Sequence, residues 1–311
     1  MKSKILLSVL SVLLVAGCVD IDMGNLGGSS LTGGSGLEII SFTAEPTSIF
    51  SGSSVRLVME IENRGGTTVA DGGSKIYVTG SNFVDWFGSV ADFETLDKEM
   101  RAEDVVRGVP PSTYRYSETL TAPDLDPGQT RNDIFIARVY HDYSTSANGN
   151  VWVYSESEAD AARAAGRQLY TPSFTYTKGP VGLSISVSPT PLIVYEGSNT
   201  FTVFIKINNL ASGTIYSPGA IPYGSDSSDV TLTMEEINRV DVSIDVGSGL
   251  TLDSECQSLD DQELVAGRDM TIVCDIDVTT DVSTFQSFQF DVTVDYGYYT
   301  ERTASVTVQG R

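Results

Sequence analysis

The side chains of this chain that could do chemistry are few and scattered. Its single histidine, His141, stands beside Asp142 and two positions from Tyr143. A hydrolytic triad needs a nucleophile set against such a ring, and no Gly-x-Ser-x-Gly elbow occurs in the 311 residues. His141 therefore reads as a residue at a strand end. Carboxylates are plentiful, several separated by one residue: Asp124 with Asp126, Asp275 with Asp277, and further acids between Asp226 and Asp229. Calcium takes about six to eight oxygens, which loops between strands can supply, although no EF-hand or nonapeptide pattern is present. Paired carboxylates also suit a glycosidase acid and base; as solvated strand edges of an acidic protein they need no ligand. Tyrosines gather at Tyr114, Tyr116, Tyr140, Tyr143 and Tyr154, and again at Tyr296, Tyr298 and Tyr299. Such rings stack on sugars or pair across strands. No catalytic or cofactor residues are assigned, and calcium in an interstrand loop is the one metal the sequence leaves open.

The amino terminus carries an address. Lys2 and Lys4 precede an apolar run from Ile5 to Val15, closed by Ala16, Gly17 and Cys18. These are the three parts of a secretory leader. The run is too short to remain in a bilayer, which needs about 20 apolar residues. Leu14-Val15-Ala16-Gly17-Cys18 resembles the lipobox of prokaryotic lipoproteins. That resemblance implies residues 1–17 as a signal peptide, lipid on Cys18 and a mature chain starting there; the plainer alternative is an ordinary leader with a cysteine at its cut. Cys256 and Cys274 then remain, and an exported domain favours their pairing as a disulfide. Closing that loop would contribute about 3 kcal/mol. A redox or metal pair needs closer spacing or more ligands, and one histidine with a bridged cysteine pair cannot complete a zinc site.

Without the leader the chain has 17 basic residues against 41 acidic, a formal charge of −24. Such a surface repels nucleic-acid phosphate and anionic headgroups, so nucleic acid is excluded as a partner. The predominance of Asp over Glu and the scarcity of Lys suit a high-salt habitat, or simply an exported protein kept soluble by charge.

The mature length suits two domains. Residues 18–36, rich in glycine and without periodicity, read as a flexible tether. From Leu37 the pattern is strand: Val55, Leu57, Met59 and Ile61 alternate with Arg56, Glu60 and Glu62, with only Val58 breaking the period. Similar runs occur at Lys75 to Thr79, Tyr114 to Leu120, Ile134 to Tyr140 and Val151 to Tyr154. They recur at Leu183 to Val187, Phe201 to Ile207, Val240 to Val246, Met270 to Val278, Phe288 to Val294 and Ala304 to Val308. Two charged stretches, Leu96 to Arg107 and Ser157 to Arg167, have helical spacing and ends.

The chain also repeats itself. Pro46-Thr47-Ser48-Ile49-Phe50-Ser51-Gly52-Ser53 matches Pro191-Leu192-Ile193-Val194-Tyr195-Glu196-Gly197-Ser198 in its proline, apolar, aromatic and Gly-Ser positions. Phe135, Ala137, Val139, Tyr143 and Thr145 align with Phe290, Val292, Val294, Tyr298 and Thr300 at a constant offset of 155 residues. Two matches in the same order imply a duplicated module, with a short joint at Gly179-Pro180. The Pro-x-x-apolar-aromatic-x-Gly-Ser opening, the alternating strand and Asn63-Arg64-Gly65-Gly66 resemble the start of immunoglobulin-like, cell-adhesion-related (CARDB-type) domains of bacterial and archaeal surface proteins. In the second module Asn208-Asn209-Leu210-Ala211 lacks the tight Asn-x-Gly. The expectation is an all-β protein of two tandem immunoglobulin-like antiparallel β-sandwiches, residues 37–179 and 181–311, with small helical insertions in the first. The resemblance implies a structural, spacer or adhesive part of the cell envelope, on the extracytoplasmic face of the membrane. Its partners would be the membrane, through lipid on Cys18, and other envelope proteins or a surface ligand. The alternative is a ligand- or glycan-binding accessory subunit of an envelope transport or secretion complex.

Overall fold

A computed structural model describes residues 33–89, 91–221 and 232–311; the leader, Cys18, most of the tether and the Asp226 to Asp229 loop lie outside the described residues. In the first half the elements are β1 (Leu37–Glu45), β2 (Ser48–Phe50), β3 (Ser54–Asn63), β4 (Ser74–Gly80), α1 (Phe83–Phe87), β5 (Asp92–Thr95), β6 (Thr113–Thr121), β7 (Thr130–Ser155), α2 (Glu156–Ala164) and β8 (Ser173–Tyr176). The second half has β9 (Val181–Ser188), β10 (Leu192–Val194), β11 (Thr200–Asn209), β12 (Thr214–Tyr216), β13 (Arg239–Val246), β14 (Leu250–Leu252), β15 (Leu259–Glu263), β16 (Asp269–Val278) and β17 (Phe285–Gln309). The fold is all-β, as the alternating pattern requires. In β16, for example, Ile272, Cys274, Ile276 and Val278 are buried while Thr271, Val273, Asp275 and Asp277 face out.

Three sheets result. A small one has the order β1-β3-β6 and another β14-β16-β11-β9; between them runs a ten-stranded sheet, β15-β13-β17-β7-β4-β5, with β2 and β12 also on β17 and β8 and β10 on β7. β7 and β17 lie antiparallel along their whole length, from Tyr154 opposite Phe285 to Thr130 opposite Gln309. At about 3.3 Å per residue this spine is roughly 80 Å long. Each long strand replaces two shorter ones read from the sequence. Gly149 and Gly297 sit inside the ladder because something approaches closely: a Cβ on Gly297 would lie 1.9 Å from the Tyr216 ring.

Core membership does not follow chain order. The first core joins β1, β3, β4 and β6 to Phe135, Ala137 and Val139 of β7, and also to Ala304, Val306 and Val308 from the far end of β17. The second joins β9, β11, β13 and β16 to Ala147, Val151 and Val153 of β7 and to Phe288, Phe290, Val292 and Val294 of β17. Residues 37–179 and 181–311 therefore do not each close over a separate core; the two long strands pass from one sandwich to the other. The exchange is reciprocal, with β2 adding in parallel to the end of β17 and β10 in parallel to the end of β7. The repeat offset of 155 residues carries Asp142 onto Gly297, and these two are directly opposite in the ladder. The duplicated halves are thus related by an approximate two-fold axis through the middle of the spine.

Of the two expected helices, Ser157 to Arg167 corresponds to α2, where the Ser155 side chain caps the Glu158 N–H. Leu96 to Arg107 is not helical. Leu96 and Met100 are both fully buried, and the Met100 backbone pairs with Val69, which fixes an extended chain. Asp97 with Arg101 and Glu103 with Arg107, spaced as ion pairs along a helix, give way to Arg101–Glu99 and Arg107–Asp104. The short helix α1, unread in the sequence, is positioned by tertiary contacts through buried Phe83 and Trp86.

Candidate functional site

The centre of the spine is a waist of buried rings. His141 is not at a strand end but in the middle of β7 and wholly buried. Its Nε2 accepts from the N–H of Leu37, the first residue of β1, at 3.2 Å. The repeat places Tyr296 at the corresponding position, and its hydroxyl accepts from the N–H of Val181, the first residue of β9, also at 3.2 Å. Thr145 pairs with that hydroxyl at 2.8 Å, while its counterpart Thr300 donates to the Leu37 carbonyl at 3.2 Å. Each long strand thus pins the start of one sandwich. Burial in place of charge explains why an imidazole and a phenol are interchangeable there: both offer one neutral acceptor.

One residue pair further along, Tyr143 and Tyr298 repeat the device. The Tyr143 hydroxyl accepts from Gly66 and Thr67 N–H groups at 2.8 and 2.9 Å and donates to the Lys178 carbonyl at 3.0 Å. Tyr298 accepts from Gly213 at 2.6 Å. Asn63 and Asn209 brace the same loops, donating to Thr67 and Gly213 carbonyls respectively. The second module therefore keeps the function of the Asn turn without its tight glycines. Gly179, the expected joint, is packed into this waist: a Cβ there would meet Thr145 Oγ1 at 2.5 Å and Tyr143 at 2.9 Å. Gly34, at the end of the expected tether, donates to the Gly179 carbonyl at 2.9 Å.

The waist holds rings in reach of one another but, among the described residues, no nucleophile beside a base. Burial holds the His141 imidazole far below its usual 6.5, at about 3, so it is neutral under ordinary conditions. Burial pushes the Tyr140 and Tyr298 phenols up to about 12, and raises those of Tyr216 and Tyr296 as well. These hydroxyls stay protonated and serve as hydrogen-bonding groups. On the opposite face of the spine Tyr77, Tyr140, Tyr216 and Tyr299 form a second cluster, Tyr140 and Tyr299 at 4.8 Å between ring centres. Tyr114 and Tyr116 donate to Glu94 and Asp92 at the edge of the first module.

Cys256 and Cys274 form a disulfide, Cα atoms 5.9 Å apart, tying the 3-10 turn Ser254–Cys256 to β16. With Asp253 they are a close group of metal-ligand types among the described residues, but both sulfurs are consumed by the bridge. Asp275 and Asp277 accept from Thr202 and Thr200 on the neighbouring strand, at 2.6 and 2.5 Å, as cross-strand pairs. Asp126 accepts from Gln129 in the loop before β7.

The first module has a buried charge that sequence reasoning missed. Asp133 is completely buried and accepts from Trp86 Nε1 (2.8 Å), Asn82 (2.8 Å) and Arg131 (2.9 Å), fastening α1 to β7. The only sequence trace of it is an aspartate at an inward position of a strand.

No family model matches the chain, and no curated protein matches it. Solved structures with slight likeness include native alpha-2-macroglobulin of E. coli, at 11% identity and a TM-score of 0.24, covering 88% of this chain and 17% of that one. A Salmonella alpha-2-macroglobulin mutant gives 10% identity and 0.24, covering 88% and 16%. The Enterococcus faecalis MSCRAMM ACE, described as binding its ligands by a collagen hug, gives 9% identity and 0.16, covering 91% and 96%. The chain spans about a sixth of the length of the macroglobulins it matches. Likeness this slight carries no argument about the chain, and the architecture rests on its own sheets.

Proposed function

We propose that this protein is a lipid-anchored, extracytoplasmic component of a prokaryotic cell envelope, serving as a stiff spacer or adhesive unit, and that its modules are immunoglobulin-like. The observation that carries this reading is the full-length pairing of β7 with β17. Two sandwiches on a flexible linker bend freely. Here, bending at the waist would break a continuous backbone ladder and the ring contacts around it, so an anchored copy holds a fixed reach of roughly 80 Å. The disulfide fits an oxidising compartment. The leader and Cys18 supply the address, and stable attachment takes more than one acyl chain. With the chain from Gly33 on held in the fold, a flexible tether over 19–32 would span roughly 21 Å, beyond a Debye length of about 8 Å, and would let an acidic body stand clear of anionic headgroups.

Fractionation and intact mass of wild type beside Cys18→Ala, in a lipoprotein-processing host, tests the anchoring. The expected result is membrane-bound wild type beginning at lipid-modified Cys18, with both properties lost in the variant. Release of unlipidated wild type would make it a free secreted module.

A further inference from the structure

The outer face of the spine, at the end carrying the second module, has a feature the spacer reading leaves unused. Trp152 points outward from β7, and its ring lies 4.8 Å from that of Tyr170 and 6.1 Å from that of Phe285, each tilted by less than 40°. Tyr170 is 62% exposed and Phe285 48%. Burying large rings is strongly favourable, so three left together at a surface mark a contact site. Tyr170 is held in place by the rest of the fold. The chain leaves α2 through Gly166, whose φ of +66° suits glycine; Arg167 then pairs with Glu158 at 2.9 Å, and the Tyr170 N–H donates to the Tyr154 hydroxyl at 2.7 Å.

Beside these rings, along the same face of β7, lies a groove of about 440 Å³. Asn148, Asn150, Ser173, Thr175, Gln289 and Asp291 line it. With Phe174 and Gly149 these complete the lining, whose polar side chains are amides and hydroxyls with a single carboxylate and no lysine or arginine. Asp291 accepts from Gln289 at 2.6 Å through one oxygen, and its other oxygen, shielded from solvent, has no partner. The geometry points to a binding site for a neutral oligosaccharide. The C–H face of a pyranose is apolar and meets the electron-rich face of an aromatic ring, while its hydroxyls pair with amides and a carboxylate. An anionic ligand has nothing to meet here except a negative chain. From Trp152 to Asn148 the face extends about 13 Å, enough for more than one sugar ring.

This inference deepens the adhesive reading by naming what is held, and it can fail separately from it. The lipidated full-length protein in detergent is tested against immobilised chitotetraose, cellotetraose and mannotetraose, with a sulfated oligosaccharide as the charged probe. Binding to at least one neutral probe is expected, weakened roughly tenfold or more by Trp152→Ala and by Tyr170→Ala. Tyr170 lies in an exposed loop, so that variant keeps the inference testable should the Trp152 substitution fail to fold. No binding to the neutral probes by folded wild type, binding confined to the sulfated probe, or equal binding by wild type and Tyr170→Ala overturns it. A chain that stays on the membrane yet ignores sugars ends this inference and leaves the spacer reading standing. Sugar binding by a chain released unlipidated supports the inference and ends the anchoring.

Discussion

At the same place in the repeat, one module buries a charge and the other a ring: Asp133 of β7 and Phe288 of β17 are related by the offset of 155 residues, and both are shut away from solvent. The first module surrounds its carboxylate with an indole N–H, an amide and a guanidinium, which also fastens α1. The second fills the position with hydrocarbon and adds a disulfide on its outer sheet instead. The waist shows the same divergence, with His141 against Tyr296. A duplicated frame accepts different side-chain chemistry at equivalent points where the same backbone N–H still finds an acceptor, as Leu37 does in His141 and Val181 in Tyr296. The two modules should therefore fail under different insults, although the shared spine makes each failure felt by both.

The largest effect should come from Asp133→Ala, which strands the indole N–H, the Asn82 amide and part of the Arg131 guanidinium. A loss of about 3 kcal/mol or more is expected in urea denaturation. Near-wild-type stability would mean that water replaces the carboxylate. Removing Cys256 and Cys274 together, or reducing the bridge, should cost about 3 kcal/mol. Because both cores are hung on β7 and β17, melting should remain a single transition at lower temperature; two separate transitions would contradict the shared spine.

Gly297→Ala forces a methyl against the Tyr216 ring from which it would be 1.9 Å away, and should cost about 1–3 kcal/mol. Its counterpart Asp142 is exposed and accepts one hydrogen bond from Gly219 at 3.1 Å. Asp142→Ala should cost less than half as much in the same assay. The smallest effect separates His141 from Tyr296. The unfolded chain takes up a proton on this histidine near pH 6.5, whereas the folded one resists until about 3. Stability from this site is thus complete above about pH 6.5 and declines as pH falls toward 3, by about 1 kcal/mol between pH 6.5 and 5.5. His141→Gln, which keeps an acceptor for Leu37, should flatten that decline; an unchanged slope would assign it to other groups.

Strand positions, α2, the disulfide and the duplication were legible because each depends on local pattern or on the few cysteines the chain has. Period two survives in β6, β11 and β16 whatever they pack against, and in β3 apart from Val58, which is buried between Leu57 and Met59. Asn209 was read as a departure from the first module, yet it braces its loop as Asn63 does, since the amide matters more than the glycines beside it. The rings of the candidate saccharide face were visible only in part: Tyr154 was among the tyrosines singled out, but Trp152, Tyr170 and Phe285 are remote in sequence and meet only once β7 pairs with β17.

Charge, alternation and self-similarity, read in order along the chain, already specify an acidic all-β protein of two related halves. That the halves share their longest strands follows from packing between distant parts of the chain. Gly149, Gly179 and Gly297 look like places to stop or turn, and nothing local distinguishes a breaker from a glycine that makes room for a ring. That distinction lies in Tyr216, Phe174 and Tyr143 packing across the waist from distant parts of the chain. His141 followed the same logic: its neighbours in sequence gave it a strand end, while burial beneath the start of β1 made it a neutral acceptor at the centre of the molecule.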